Sequence, residues 1–357
     1  MKRATIFSPC YKLSRTILSR FYKDYESVIL LGHTLLKNLG PLEHLITSFK
    51  IPGHLETSLH HLKFPSPLIL AAFEGDNEIV RLWTQFGLGG ATLKTILRDP
   101  RPGNPRPRIK RIWTSEGEGL INAMGLPGKG LSHTLSHLNE LLQFPASKPI
   151  GFSIGGQSMD EYEYNILQLI KTLKAHPQWA IRPYFIEINI SCPNTPDGQD
   201  MQAHPELLTH LLRNLKLQYP DIIMGPKVSP DLSNDSLLIL AEIVATFPLT
   251  FITLGNAKFQ KCQEIGLPQN ALSIGGGGLT GPSLFNRTLE MTTLIAPLKI
   301  PIIATGGVSS AKQVQELQTA GATLIGMATA VVQNPYCIPE ILATLEEPKC
   351  TAHHSPE

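Results

Sequence analysis

The chain has 357 residues, 42% of them hydrophobic, which is ample for a large packed core and excludes disorder as a general description. Lys and Arg number 31 against 29 Asp and Glu, a formal net charge of +2, so no concentrated basic surface is indicated and no nucleic-acid partner is expected. The five cysteines, at 10, 192, 262, 337 and 350, are odd in number and scattered. That argues against a disulfide framework or a CxxC metal site, gives no metal ligand set, and makes a reducing compartment the default.

Residues 1–63 read as an N-terminal helical extension. The first 23 residues hold six Lys or Arg and no acid. Asp24 and Glu26 then open a segment in which Val28, Leu31, Leu35 and Leu39 share one helical face, closed by Gly40-Pro41. Its longest apolar stretch, Val28 to Leu36, is interrupted by Gly32 and His33 and falls far short of the roughly 20 residues that span a bilayer. Three readings stand for this segment: packing on the following domain, peripheral contact of residues 1–60 with an anionic membrane, or a targeting peptide, although no secretory h-region and cleavage site is evident. The expected location is cytoplasmic, with any membrane contact on the inner face.

From Pro67 onward, short β-branched runs alternate with helical patterns, the mark of parallel βαβ units. Eight candidate strands appear: Leu68 to Ala72, Gly90 to Leu93, Ile150 to Ile154, Ile186 to Ile190, Ile223 to Val228, Thr250 to Leu254, Pro301 to Ala304, and Leu324 to Met327. Eight units predict a (β/α)8 TIM barrel over 64–347, followed by a C-terminal tail at 348–357. The main insertion, Arg98 to Gly130, is rich in Pro, Gly and Arg and reads as a lid or binding wall.

In a barrel, chemistry gathers where strands end. Lys94 follows the second strand, Asn189 and Cys192 the fourth, Lys227 the fifth, Asn256 the sixth, and Gly306-Gly307 the seventh. Each alone has an ordinary explanation: a surface lysine, a turn-forming Asn, a glycine turn, a buried free Cys behaving as a small hydrophobe. Their collection on one rim is what argues for a site. Ile302 to Ser310 runs from a strand through two glycines into a helix, and Ala328-Thr329 forms the matching turn after the eighth strand. Exposed backbone amides there suit a phosphate, and flavin mononucleotide, a sugar phosphate or pyridoxal phosphate would all fit such a grip.

Over nearly all of Leu68 to Val332 the chain resembles the dihydroorotate dehydrogenase family. The matching motifs are Gly103-Asn104-Pro105-Arg106-Pro107-Arg108, Asn122-Ala123-Met124-Gly125-Leu126-Pro127, Asn189-Ile190-Ser191-Cys192-Pro193-Asn194, Gly277-Gly278-Leu279-Thr280-Gly281 and Ala304-Thr305-Gly306-Gly307. The resemblance implies an FMN-bearing barrel that oxidises dihydroorotate to orotate in pyrimidine biosynthesis, with hydride passing to flavin N5. It implies cofactor contacts from Ala71, Ala72, Lys94, Thr95, Asn189, Lys227, Gly278, Gly306, Gly307, Ala328 and Thr329. It implies a substrate site of Lys94, Asn122, Met124, Gly125, Leu126, Asn189, Asn194 and Asn256, with Cys192 as the catalytic base.

Two departures stand out. Where the family ends its first strand in Ala-Ala-Gly or Ala-Ser-Gly, this chain reads Ala71-Ala72-Phe73-Glu74-Gly75, so a rebuilt loop is expected in which Gly75 takes over the close approach to the cofactor. Cys192 as base is similar to the soluble class, whereas the N-terminal extension is similar to the membrane-associated, quinone-using class. The electron acceptor is therefore open between a quinone and fumarate or another soluble acceptor, and a homodimer is left open as well. Two other function classes remain: a related flavin barrel acting on another dihydropyrimidine, and a non-catalytic barrel descendant.

Overall fold

The computed structural model describes residues 2–22, 24–191 and 201–346. Eight parallel strands close into a barrel: β3 (Leu68–Leu70), β4 (Gly90–Ile96), β7 (Ile150–Ile154), β8 (Tyr184–Asn189), β9 (Met224–Val228), β10 (Ile252–Leu254), β13 (Ile302–Thr305) and β14 (Leu324–Met327). All eight expected strands are present, within a few residues at their ends. Helices such as Asn77–Gln85, Met159–Ala175 and Pro205–Gln218 cover the outside, each burying one apolar stripe. Asp76 and Ser158 cap the first two of these with side-chain hydrogen bonds, which fixes where each helix leaves its loop.

The last residues of the N-terminal extension are not helical. β1 (Thr57–Leu59) and β2 (Leu62–Phe64) form an antiparallel hairpin at the N-terminal end of the barrel. Its Leu59, Leu62 and Phe64 pack with Ile69, Phe185, Ile223, Phe251, Ile303 and Leu324 into a separate apolar cluster. The barrel is thereby sealed at that end, and its open end is the C-terminal mouth.

A second sheet stands beside the mouth. β5 (Ile109–Thr114) and β6 (Gly117–Asn122), from the Arg98–Gly130 insertion, join β11 (Lys258–Lys261) and β12 (Gly276–Thr280) in the order β11-β12-β6-β5. The insertion is thus a wall built of paired strands.

α1 (Lys2–Phe21) and α2 (Tyr25–Lys37) lean on this wall. α1 lays Phe7 and Tyr11 against Tyr336, with ring centroids 5.8 and 6.3 Å apart. Arg15 of α1 makes a two-pronged contact with Glu118 of β6 at 2.8 and 2.9 Å, and Arg111 of β5 reaches the same carboxylate at 2.6 Å. Glu26 of α2 receives Arg108 in the same way, at 2.9 and 2.8 Å. The expected packing face of α2 is only partly used: Val28 is buried but Leu35 is 57% exposed, because the helix is held by Tyr25, Glu26 and Val28 at its start.

Burial alone would raise the Glu118 carboxyl, but hydrogen bonds from Arg111 and Arg15 and their charges outweigh it and hold the group below the usual carboxylate range. The sign follows directly. A depressed folded-state value stabilises the fold above the unfolded value of about 4.3, and the gain is lost as pH falls through the folded value. Glu118→Gln is expected to cost about 3 kcal/mol at pH 7, since it leaves two largely buried guanidinium groups without their counter-charge. Urea midpoints at pH 7 and at the acid limit check this: the difference between variant and wild type should shrink in acid, and a pH-independent difference would rule out the charge as its source.

Candidate active site

The parallel register carries the barrel's inward-facing residues up to the mouth in steps of two. On β8, Phe185 faces the lower apolar cluster, so Glu187 and then Asn189 follow on the same face. On β9, Lys227 sits level with Asn189, and on β10 Thr253 sits level with Lys227. β4 brings Lys94, and the turns after β3, β13 and β14 bring Ala71-Ala72, Gly306-Gly307 and Ala328-Thr329.

The residues at the strand ends border one cavity of about 320 Å³ at the C-terminal mouth, and Phe185, Glu187 and Thr253 do not line it. It gathers Ala71, Ala72, Lys94, Thr95, Asn122, Met124, Gly125, Leu126, Asn189, Lys227, Asn256, Gly278, Gly306, Gly307, Ala328 and Thr329. Cys192 and Asn194 lie outside the described residues, as does the 348–357 tail. A second cavity of about 1100 Å³ adjoins the first through shared residues that include Phe73, Lys94, Asn122 and Ala328, and reaches outward to α2.

The carboxamides are held by a hydrogen-bond relay. Asn256 Nδ2 donates to Ser191 Oγ at 2.7 Å, Ser191 Oγ donates to Asn189 Oδ1 at 2.8 Å, and Asn189 Nδ2 donates to Thr95 Oγ1 at 2.7 Å. Each amide retains donor or acceptor capacity for a ligand, because a carboxamide can make about four hydrogen bonds. Ser191, buried immediately before Cys192, holds the centre of this relay and carries no role in the sequence reading. Its signal was present only as one of several hydroxyls, which spacing does not separate from ordinary turn formers.

The opposite wall is positioned from a distance. Asn122 ends β6, pairs with Gly278 of β12, and donates from Nδ2 to the Gly278 carbonyl at 3.3 Å. Asn104 grips the following turn, its N–H reaching the Met124 carbonyl at 3.0 Å and its Nδ2 the Ala123 carbonyl at 2.9 Å. Arg108 in turn binds the Pro102 and Asn104 carbonyls while its other nitrogens hold Glu26 of α2. The N-terminal extension therefore helps set the turn Met124-Gly125-Leu126.

Lys94 and Lys227 both border the cavity, and among the described residues neither ammonium donates a hydrogen bond to the protein. Burial pushes the Lys94 ammonium down from its usual range, an effect that the Glu74 charge opposes. Two ammonium groups that donate no hydrogen bond to the described residues suit an anionic or electron-rich ligand. At the other side, Gly307 has φ +77°, and a Cβ there would lie 2.5 Å from the Phe285 nitrogen. Only glycine fits that turn, which keeps its amides open to the cavity.

The Phe73 departure resolves differently from the expectation. Gly75 does not border the first cavity; it rests on the Lys94 stem, where a Cβ would sit 3.4 Å from Cδ. Phe73 stands at the seam of the two cavities with its ring 5.4 Å from Trp83 and tilted by 30°. Glu74 turns its carboxylate back onto its own loop, accepting from the N–H groups of Gly75 and Asp76 at 2.8 Å each. The residues of this strand end that border the first cavity are Ala71, Ala72 and Phe73.

A closed parallel barrel with its cavity at the C-terminal mouth is the architecture of TIM-barrel enzymes. A family model described as dihydroorotate dehydrogenase matches residues 54–348. Dihydroorotate dehydrogenase (quinone) of Thermosynechococcus vestitus is 31% identical over 301 residues, covering 82% of this chain and 80% of the relative. That of Rhodococcus opacus is 30% identical over 298 residues, covering 82% and 81%. Among solved structures, ligand-free dihydroorotate dehydrogenase of Eimeria tenella shares the fold with a TM-score of 0.74 at 19% identity, covering 88% of this chain and 93% of that one. The chain belongs to the dihydroorotate dehydrogenase family, oxidoreductases that act on a CH–CH bond, and its family reaction is the oxidation of dihydroorotate.

Proposed function

We propose that the chain oxidises dihydroorotate to orotate with FMN seated across the barrel mouth, Cys192 as base and a quinone as electron acceptor. The observation that carries this reading is one cavity that joins the Gly306-Gly307 turn, two lysines without hydrogen-bond partners among the described residues, and three carboxamides. FMN fits this donor set: the Gly306-Gly307 and Ala328-Thr329 turns would hold its phosphate, Ala71, Ala72, Thr95 and Gly278 its ring, and Lys227 and Lys94 its polar edge. When bound, the flavin supplies the hydride acceptor.

The protein's own share is positioning and proton transfer. Asn122, Asn189, Asn194 and Asn256 pair with the ring N–H, carbonyl and carboxylate groups of the substrate, while Met124, Gly125 and Leu126 close its other side. Cys192 Sγ takes the carbon-bound proton, which requires a thiol acidified from its usual value of about 8.5. Asn189 and Asn256 meet through Ser191, so the substrate contacts on β8 and after β10 are fixed relative to the residue that precedes the base.

The quinone is supported by the relatives, whose names carry it, and by the surface of the extension. No helix of the described residues is long and apolar enough to cross a membrane. α1 nevertheless exposes Ile6, Leu13, Ile17 and Phe21, and α2 and its successor expose Leu30, Leu35 and Leu42. With Lys12 and Arg20 on α1, such a face suits peripheral contact with an anionic bilayer.

One assay tests the whole reading. Heat-denatured protein is expected to release FMN, and the dihydroorotate-reduced protein is expected to be reoxidised by a short-chain quinone far faster than by fumarate, with sedimentation on anionic vesicles at low salt. Absence of FMN after refolding with excess flavin would sink the cofactor assignment. Preference for fumarate without vesicle binding would replace the quinone by a soluble acceptor.

A further inference from the structure

Directly beneath the cavity, the barrel interior holds a charge that the proposed chemistry does not use. Glu187 of β8 is 2% exposed, and its Oε1 has no hydrogen-bond partner among the described residues. Thr253 of β10, 1% exposed, likewise has an unpartnered Oγ1. A buried carboxylate is costly unless a cation or several donors answer it.

The strand register identifies the cation. Glu187 is level with Gly225 and Asn189 with Lys227 on the neighbouring strand, while Thr253 is level with Lys227 from the other side. Residues two apart on a strand share a face, so Glu187 lies one step below Lys227 inside the barrel. Gly225 carries no side chain to stand between them, and none would fit, since a Cβ there would lie 1.8 Å from the Phe251 carbonyl oxygen. Lys227 is 4% exposed and makes no hydrogen bond among the described residues. Lys94 stands on a strand separated from β8 by β7, and the acid whose charge acts on it is Glu74.

We propose that Glu187 is the buried counter-charge of Lys227 and a positioning residue that limits how strongly this lysine favours the reduced, anionic flavin. The inference rests on the cofactor reading given above. With Glu187 in place, part of the Lys227 field is spent on the barrel interior; without it, the full field acts at the mouth.

The test is the flavin midpoint potential of the FMN-loaded protein, measured by dye equilibration. Glu187→Gln keeps shape and removes charge, and is expected to shift the oxidised-to-reduced equilibrium at least tenfold towards the reduced form, about 30 mV upward for a two-electron couple. A role confined to packing would alter melting and leave the potential alone. Should the glutamine variant fail to fold, Glu187→Asp, which draws the charge back by one methylene, is expected to shift the equilibrium about threefold in the same direction. A loaded variant with an unchanged or lowered midpoint overturns the Glu187 assignment alone, whereas a wild type that holds no FMN overturns the cofactor reading beneath it.

Discussion

Cys192→Ala is expected to slow the reduction of bound flavin by dihydroorotate at least 100-fold at neutral pH while flavin content and melting stay near wild type. General-base loss typically costs about 10² to 10⁴ in rate, and truncating one small side chain has little leverage on a core of this size. Cys192→Ser should recover part of the rate as pH rises, because a hydroxyl gives up its proton less readily than a thiol. Stopped-flow bleaching of the flavin reads the step without interference from the acceptor. An alanine variant that reduces its flavin as fast as wild type would remove Cys192 from the mechanism.

Gly307→Val is expected to weaken FMN binding at least 100-fold, about 2.7 kcal/mol. Two effects combine. The φ of +77° is strongly disfavoured for a β-branched residue, and the new Cβ would meet the Phe285 backbone at 2.5 Å, so the turn must move. Gly266 provides the control, since it has φ +73° and nothing within 4 Å of an added Cβ. Gly266→Val carries comparable strain away from the cavity and should keep its flavin. Equal retention of FMN by both variants would mean that the Gly306-Gly307 turn does not hold the phosphate.

The barrel was readable because each of its strands is a short run of buried apolar residues followed by a helix with one apolar stripe, and both periods survive in the sequence. The mouth was readable for a similar reason: Lys94, Asn189, Lys227 and Asn256 break apolar runs at strand ends. The flanking sheet was harder. Ile109 to Thr114 alternates only weakly, and Gly276 to Thr280 is three glycines followed by Leu279 and Thr280, with few side chains to carry a pattern. Glu118 borders the cavity yet reads as a solvated acid, because Arg15, which answers it, is 103 residues away in sequence. Glu187 was hidden within an apolar strand for the complementary reason, since burial of a polar residue depends on which strands become neighbours.

The hairpin at the closed end and the helices at the wall bear on how this chain can be divided. A cut at Phe64, where the sequence suggests that an extension ends and a barrel begins, would take Leu59 and Leu62 out of the barrel's lower cluster, leave Arg108 without Glu26, and leave Glu118 with Arg111 alone. The first 63 residues are thus floor and buttress to the remainder, and a chain shortened at Phe64 is expected to unfold at lower urea than the full one.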